Sequence, residues 1–403
     1  MPAVKLTKDV YWVGAMDWTL RDFHGYTTSR GTTYNAYLII DERPTLIDVV
    51  KRGFFDELVF NIEEVIPLRE LKYVVLNHME PDHTGVLTQM LKEAPQAELV
   101  ASQRCEPALS KYHKLDRQAL KVKTGDELLL GSRKLRFIEV PMLHWPDSMM
   151  TYLVDEDILF SSDAFGQHLA TATRFDDQCD LEVLMYEAAN YYANIILPYS
   201  SLVLNKLNEL EKLQLNIKLL APGHGVIWRA HIIDIVESYK YWASASSTNK
   251  VVIVYDTMWG STEQMAKAVM EGVANEGVEV QLYHLRKSEW SHIIKELMDA
   301  KALLVGTPTL NNTTFPTVAG FLNHVRGLFT RYLKRVGVEK KRFALAFGSY
   351  GWSGEAVKEV GKQLEEMGFE VLPPLSIQYL PSREEIRSLM EFGRKVAEKV
   401  KAA

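Results

Sequence analysis

Over the first 245 or so residues, short apolar or alternating runs recur at 33–40, 45–49, 71–77, 99–101 and 135–140, and their spacing predicts strands with helices between them. Residues 150–154 and 158–161 flank Asp155-Glu156-Asp157, the pattern of a hairpin. A long helical stretch is expected from about residue 182 to 213, broken or kinked at Pro198. The stretch 243–250 is small, polar and aperiodic, as linkers are, so the chain is divided there into residues 1–247 and 248–403. Beyond it the pattern becomes a strict alternation. Short strands at 251–255, 278–283, 302–305, 343–347 and 369–372 are separated by helical stretches such as 262–274 and 316–329. Strands alternating with helices imply a parallel sheet covered on both faces.

Composition narrows the class. With 403 residues, 47% hydrophobic and 24% charged, the chain reads as a globular protein of two or three domains. A net charge of −6 without long like-charge blocks argues against a nucleic-acid partner. No apolar run approaches the roughly 18–20 residues that span a bilayer, and Met1-Pro2-Ala3-Val4-Lys5 lacks the pattern of a signal peptide, so a cytoplasmic protein without a membrane anchor is expected. The two cysteines, Cys105 and Cys179, are far apart and in no Cys-x-x-Cys pair. That excludes a disulfide framework, a zinc ribbon or a rubredoxin-like iron site. Any metal must be held by His, Asp and Glu.

Such residues are concentrated where the strand at 73–77 runs into His78-Met79-Glu80-Pro81-Asp82-His83. In extended chain, alternate side chains face the same way, so His78, Glu80 and Asp82 can converge while His83 opens the following helix. A dense cluster of this kind suits a two-metal site; the competing reading is a solvated polar loop. Three further candidates stand at the ends of expected strands: His144 in Leu143-His144-Trp145-Pro146-Asp147, Asp163 in Ser161-Ser162-Asp163-Ala164-Phe165, and His224 in Ala221-Pro222-Gly223-His224-Gly225.

The series His-x-Glu-x-Asp-His followed by His, Asp and His resembles the metal set of the flavodiiron branch of the metallo-β-lactamase superfamily. The resemblance covers nearly all of residues 1–245. Hydrolytic relatives have His-x-His-x-Asp-His, and Glu80 replaces the second histidine here. The resemblance implies one metal on His78, Glu80 and His144, the other on Asp82, His83 and His224, and Asp163 bridging them. Two imidazoles with at least one carboxylate per metal form a ligand class that suits oxygen-activating non-haem iron. Two divalent ions and three carboxylates leave a net charge of about +1, which attracts an exogenous ligand. By the same resemblance His24, His168, Tyr191 and Tyr192 line the diiron pocket, where they could donate protons or hydrogen bonds. A lone His or Tyr is otherwise more often a satisfied core residue.

In the second region, the first strand ends in Thr257-Met258-Trp259-Gly260-Ser261-Thr262 ahead of a helix. Such a turn offers backbone N–H groups and hydroxyls to a phosphate, although simple capping gives the same pattern. Two more loops, Gly306-Thr307-Pro308-Thr309-Leu310-Asn311-Asn312 and Gly348-Ser349-Tyr350-Gly351-Trp352-Ser353-Gly354, follow the third and fourth strands. Doubly wound sheets bind ligands at those carboxyl ends. The three loops together resemble those of flavodoxins, with Trp259 standing where a small hydroxyl residue is usual. The resemblance implies that Thr257, Gly260, Ser261 and Thr262 hold the phosphate of FMN. Pro308, Thr309, Asn311 and the Ser349, Tyr350, Gly351, Trp352 stretch would approach its ring. No Gly-x-Gly-x-x-Gly follows a strand, which favours FMN over a dinucleotide.

The implied fold is a metallo-β-lactamase-like αββα sandwich followed by a flavodoxin-like doubly wound parallel sheet. The implied activity is reduction of O2 to water, of NO to N2O, or of both. Four electrons convert O2 to two waters, and a fully reduced FMN with two ferrous ions carries four; two NO need only two. A zinc hydrolase is the competing class, but Glu80 argues against it and the flavin would have no task. With no appended rubredoxin or NAD module before Ala403, an external donor is expected, a rubredoxin or a reduced deazaflavin-type cofactor. The family's solution to electron transfer is a head-to-tail homodimer, or a dimer of such dimers, and the same is expected here.

Overall fold

The structure is a computed structural model and describes residues 2–115, 117–335 and 341–402. The chain forms two compact units, one from Met1–Tyr192 and Leu202–Tyr239, the other from Ala193–Ser201 and Lys240–Ala403.

The first unit is built on two sheets. One contains β1 (Val4–Lys5), β2 (Val10–Trp12), β3 (Tyr37–Ile39), β4 (Thr45–Ile47), β5 (Tyr73–Leu76), β6 (Glu98–Ser102) and β7 (Leu120–Val122), side by side in that order. Neighbours are antiparallel up to β4 and parallel from β4 to β7. The other contains β8 (Glu127–Leu129), β9 (Lys134–Glu139), β10 (Met149–Leu153), β11 (Ile158–Ser162) and β12 (Leu219–Pro222), with only the β11–β12 pair parallel. The hairpin expected at 150–161 is the β10–β11 pair.

Alternation decides what each strand buries. Ile47, Val75 and Val100 point into the sandwich with Phe137, Leu153 and Phe160 of the second sheet. Their neighbours Leu46, Val74, Leu76 and Leu99 face the other way, against Leu58 and Ile62 of helix Phe55–Glu63 and Leu87 and Met90 of helix Leu87–Glu93. Each fully buried aliphatic side chain contributes about 1.5–3 kcal/mol. A one-residue slip of β5 would exchange the two sets, so its register, and the direction of His78 just beyond it, is tightly held.

The run expected at 33–40 is two strands. Thr32–Tyr34 pairs with Ala15–Asp17, and only Tyr37–Ile39 joins the main sheet. Asn35 causes the break: its N–H donates to Gly223 O (2.9 Å), its Nδ2 to Pro222 O (2.8 Å) and Gly225 O (3.0 Å), and its Oδ1 accepts from Trp12 Nε1 (2.8 Å). The helical stretch expected at 182–213 is helix Leu181–Tyr191, a π-helical turn Tyr192–Ile196, a 3-10 turn Leu197–Tyr199 and helix Ser200–Lys212. The interruption thus begins upstream of Pro198, whose missing N–H accounts only for its second half.

In the second unit, β13 (Thr248–Tyr255), β14 (Glu279–His284), β15 (Ala300–Gly306), β16 (Phe343–Tyr350), β17 (Glu370–Val371) and β18 (Leu375–Gln378) form one parallel sheet in the order β14-β13-β15-β16-β17, with β18 also beside β16. This is the flavodoxin-like order. The strand expected at 369–372 is shorter, because Pro373-Pro374 cannot donate to a ladder, and β18 resumes beyond it. β13 begins three residues before the expected 251: Thr248 N–H donates to Asp299 O (2.8 Å), and Lys250 pairs with Asp299 (2.9 Å) and Glu296. Buried Arg342 donates to the carbonyls of Leu297 (2.9 Å), Met298 (2.8 Å), Ala300 (3.0 Å) and Ala245 (3.3 Å), which ties the linker down.

Candidate metal centre and flavin crevice

All four chain segments that carry candidate ligands leave the carboxyl ends of strands. β5 delivers His78, Glu80, Asp82 and His83; β9 leads to His144; β11 to Asp163; β12 to His224. Gly223 lets the His224 segment close on the one that carries His83, because a Cβ there would stand 2.6 Å from His83 Cε1. The seven side chains form two groups. In one, Glu80 Oε2 lies 3.1 Å from both His78 Nε2 and His144 Nε2. In the other, Asp82 Oδ2 lies 3.2 Å from His224 Nε2 and Asp82 Oδ1 3.7 Å from His83 Nε2.

Asp163 stands between them. Its Oδ2 is 3.5 Å from His78 and from His144, and its Oδ1 is 3.0 Å from His83 and 3.5 Å from His224. Within each group the ligand atoms lie no more than 4.8 Å apart. The set is buried, with Asp163 2% exposed and His144 the most open. Burial pushes the carboxyl groups of Glu80, Asp82 and Asp163 up, but the surrounding imidazoles outweigh it and hold all three down. Burial likewise opposes charge on His83, yet Asp82 and Asp163 raise it to about 10. Asp82 Oδ1 and Oδ2 and Asp163 Oδ2 have no hydrogen-bond donor among the described residues. Buried carboxylate oxygens without donors are costly unless a cation satisfies them, so the residues fit a pair of metal ions.

Around this set, His24 sits at positive φ in the hairpin of Asp22–Phe23 and Tyr26–Thr27, with Nε2 2.8 Å from Glu80 Oε1 and its side chain 62% exposed. Tyr191 donates from its hydroxyl to Asp163 Oδ1 at 3.0 Å. Tyr192 packs edge-on against Tyr239, whose hydroxyl accepts from Phe165 N–H. His168 is buried between Tyr191 and His224, with ring centroids 4.9 and 5.0 Å away. Thr32 Oγ1 lies 2.7 Å from His168 Nδ1, and His168 Nε2 has no hydrogen-bond partner among the described residues. Burial holds this imidazole neutral. Tyr26, overlooked in the sequence although two residues from His24, presents a buried hydroxyl beside His168 that has no hydrogen-bond partner among the described residues. Asp48 was also missed. It accepts from Asn77 N–H at 2.7 Å and so anchors the residue before His78.

In the second unit the loops after β13, β15 and β16 enclose a crevice of about 680 Å³. Met258, Trp259, Ser261, Pro308, Thr309, Leu310, Asn311, Ser349, Tyr350, Gly351 and Trp352 line it, together with Asn312, Ser353, Tyr379 and Leu380. The last two come from the turn after β18, a strand the sequence pattern did not reveal. Four expected residues shape the loops instead. Gly260, at φ 85°, turns the chain into helix Ser261–Ala274 and donates to Thr257 Oγ1 at 3.0 Å. Thr262 is buried with its hydroxyl 2.9 Å from Ser349 Oγ, and Thr307 Oγ1 accepts from Phe315 N–H at 3.2 Å. Below the first loop, buried Asp256 accepts from Thr257 N–H (2.6 Å), Arg286 Nε (2.9 Å) and the Thr317 hydroxyl. The helix N-terminus, the Ser261 hydroxyl and the broad aromatic walls fit a phosphate-bearing planar cofactor.

Fold and sites together define a β-lactamase-fold metal protein joined to a flavodoxin. Family models agree: residues 32–225 match the ODP family beta lactamase model and residues 253–393 the flavodoxin model. Over 402 residues the chain is 44% identical to the nitric oxide reductase of Moorella thermoacetica, with 98% of each chain covered. It superposes on the rubredoxin oxygen:oxidoreductase of the anaerobe Desulfovibrio gigas with a TM-score of 0.95, 38% identity and 99% of each chain covered. With the flavodiiron protein of Giardia intestinalis the TM-score is 0.94, at 34% identity over 100% of this chain and 97% of that one. The chain belongs to the flavodiiron proteins. It is an oxidoreductase, and its cofactors are FMN and two non-haem irons.

Proposed function

We propose that residues 1–247 hold the two irons and residues 248–403 the FMN, and that the chain reduces O2 to water, NO to N2O, or both, with electrons from an external donor. One observation carries the iron assignment above the others: the two oxygens of Asp163 face two separate ligand groups. When bound, flavin and irons supply the electrons, four for O2 to two waters and two for 2 NO to N2O and water. The protein's own part is positioning. His78, Glu80 and His144 hold one iron, Asp82, His83 and His224 the other, and Tyr191 fixes the bridging carboxylate through its hydroxyl. His24 reaches Glu80 through its Nε2, and the Tyr26 hydroxyl and His168 Nε2, without partners among the described residues, are the groups that could exchange a proton with bound ligand. Ser261 holds the FMN phosphate at the start of its helix, while Trp259, Trp352 and Tyr379 flank the ring.

The test is to reduce the purified protein anaerobically and follow O2 and NO consumption separately, with iron and zinc measured on the same sample. Two irons per chain and consumption of either gas support the reading; zinc without gas consumption supports a hydrolase and removes it. For the donor, a rubredoxin is favoured over a reduced deazaflavin, and each is offered in turn to the oxidised enzyme. No helix among the described residues is long and apolar enough to cross a membrane, and the cytoplasm is the proposed compartment.

For assembly we propose a head-to-tail homodimer in which the FMN of one chain serves the irons of the other. The crevice rim supports it, since Trp259, Trp352 and Tyr379 are 92%, 84% and 66% exposed, as an interface surface would be in a lone chain. A chain with His78→Ala and Asp163→Ala is mixed with one carrying Ser261→Ala and Thr262→Ala under conditions that exchange subunits. Activity returns in the mixture if the path crosses between chains, and stays absent if it runs within one.

A further inference from the structure

The two ligand groups are matched in charge where they would touch metal. Each has one carboxylate of its own, Glu80 or Asp82, two imidazoles, and one oxygen of Asp163. A difference between the irons would therefore arise in the groups that touch the ligands, and there the halves are unlike. His78 Nδ1 lies 3.2 Å from Asp147 Oδ2, and that same oxygen accepts from Met79 N–H at 2.7 Å. Behind His224, Nδ1 meets the neutral carbonyl of Thr33, at 2.7 Å. His83 Nδ1 has no hydrogen-bond partner among the described residues. The buried carboxyl group of Asp48 takes the Asn77 N–H rather than an imidazole.

We propose that Asp147 is a positioning residue that makes the His78 half of the centre the tighter iron site and the one of lower reduction potential. The inference rests on the reading of His78 as an iron ligand. A carboxylate accepting from Nδ1–H locks the imidazole with its Nε2 lone pair toward the metal and makes that nitrogen a stronger donor, which stabilises the more highly charged ion. Asp147 is 6% exposed, so water screens its charge little. His24, which acts on Glu80 in the opposite sense, has a side chain 62% exposed and is largely screened. The loop that supplies His144 also supplies Asp147, and it is fastened by the bond from Ser102 Oγ to Asp147 O (2.7 Å) and by Trp145 set edge-on to His78. One loop thus ligates the first iron through His144 and backs its other imidazole three residues later.

Asp147→Asn keeps an acceptor for Met79 N–H and removes only the charge, so the fold is retained. In the ⁵⁷Fe-loaded protein with FMN bound, Mössbauer spectra follow each iron during chelation and during a potentiometric titration, and His224→Ala identifies the signal of the other half. Expected for Asp147→Asn is roughly 10- to 100-fold faster iron loss from the His78 half alone. The potential of that half rises, while FMN content and melting temperature stay unchanged. Asp147→Glu should recover part of both. Unchanged potential with unchanged iron loss, equal loss from both halves, or a fall in melting temperature with no change in potential each overturns the proposal. Two bound irons with any of those results leave the diiron reading standing, whereas a protein that binds no iron removes both.

Discussion

Asp163 is 2% exposed and Trp259 92% exposed, and the regions around them are built on opposite plans. The metal centre is made of charged groups taken out of water, so each must be paired: imidazoles hold the carboxyl groups down, carboxylates hold His83 up, and Asp48 and Asp147 anchor the strand end that presents His78. The flavin crevice is made of a helix N-terminus, small hydroxyl side chains and aromatic residues that remain in solvent. A site for compact, highly charged ions is organised by mutual electrostatics inside the core. One for a large flat molecule is organised by loops and completed by burial of the molecule itself.

The sharpest test of that contrast is Asp163→Ala, which leaves facing imidazoles without their shared counter-charge. Iron affinity should fall at least about a hundredfold, in line with the roughly 3–5 kcal/mol lost on removing one partner from a buried charged set. FMN content should not change, and loss of FMN along with iron would mean that the plans are not separate. Next in size is a pH effect in the iron-stripped protein. His83 is raised from 6.5 to about 10, so its contribution is complete below pH 6.5 and disappears as pH rises toward 10. Glu80, Asp82 and Asp163 are lowered, so theirs is present above their ordinary values near 4 and is lost as pH falls. Thermal unfolding of the stripped protein should thus show stability declining as pH rises from about 6.5 toward 10. A rise in melting temperature over that upper range would break the account.

Ser261→Ala is a smaller perturbation. One charged hydrogen bond to phosphate is worth about 1.5–3 kcal/mol, so FMN should bind roughly ten- to a hundredfold more weakly, with two irons still present. Smallest is Tyr379→Ala at the crevice rim, where an aromatic contact worth about 0.5–1.5 kcal/mol predicts a roughly two- to tenfold loss of FMN affinity by titration. An equal effect from both variants would show that the ring, rather than the phosphate, dominates binding.

What was legible in the sequence follows the same contrast. The seven candidate ligands are polar residues at the ends of apolar strands, where period and chemistry coincide, and the fold brings all of them together. The groups that hold them were hidden, because Asp48 reaches Asn77 across 29 positions and Asp147 reaches His78 across 69. No local pattern carries contacts of that range. The flavin loops were visible as turns after strands, but Tyr379 and Leu380 were not, since they follow a short strand hidden behind Pro373-Pro374. Asn35 shows the reverse case: a polar residue inside an apolar run interrupts a strand in order to fasten the loop that presents His224.

The π-helical turn at Tyr192–Ile196 lies where the chain leaves one compact unit for the other. Inserting one residue into a helical repeat turns every later side chain by about 100°. Tyr191, before the turn, reaches Asp163; Leu197–Tyr199, after it, lies against helix Pro316–Arg335 in the compact unit that carries the flavin crevice. A gene cut once at Thr248 would therefore leave that helix without its cover. A flavin module cut out of this chain would have to carry residues 193–201 along with everything from Lys240 on, so no single cut separates the two compact units.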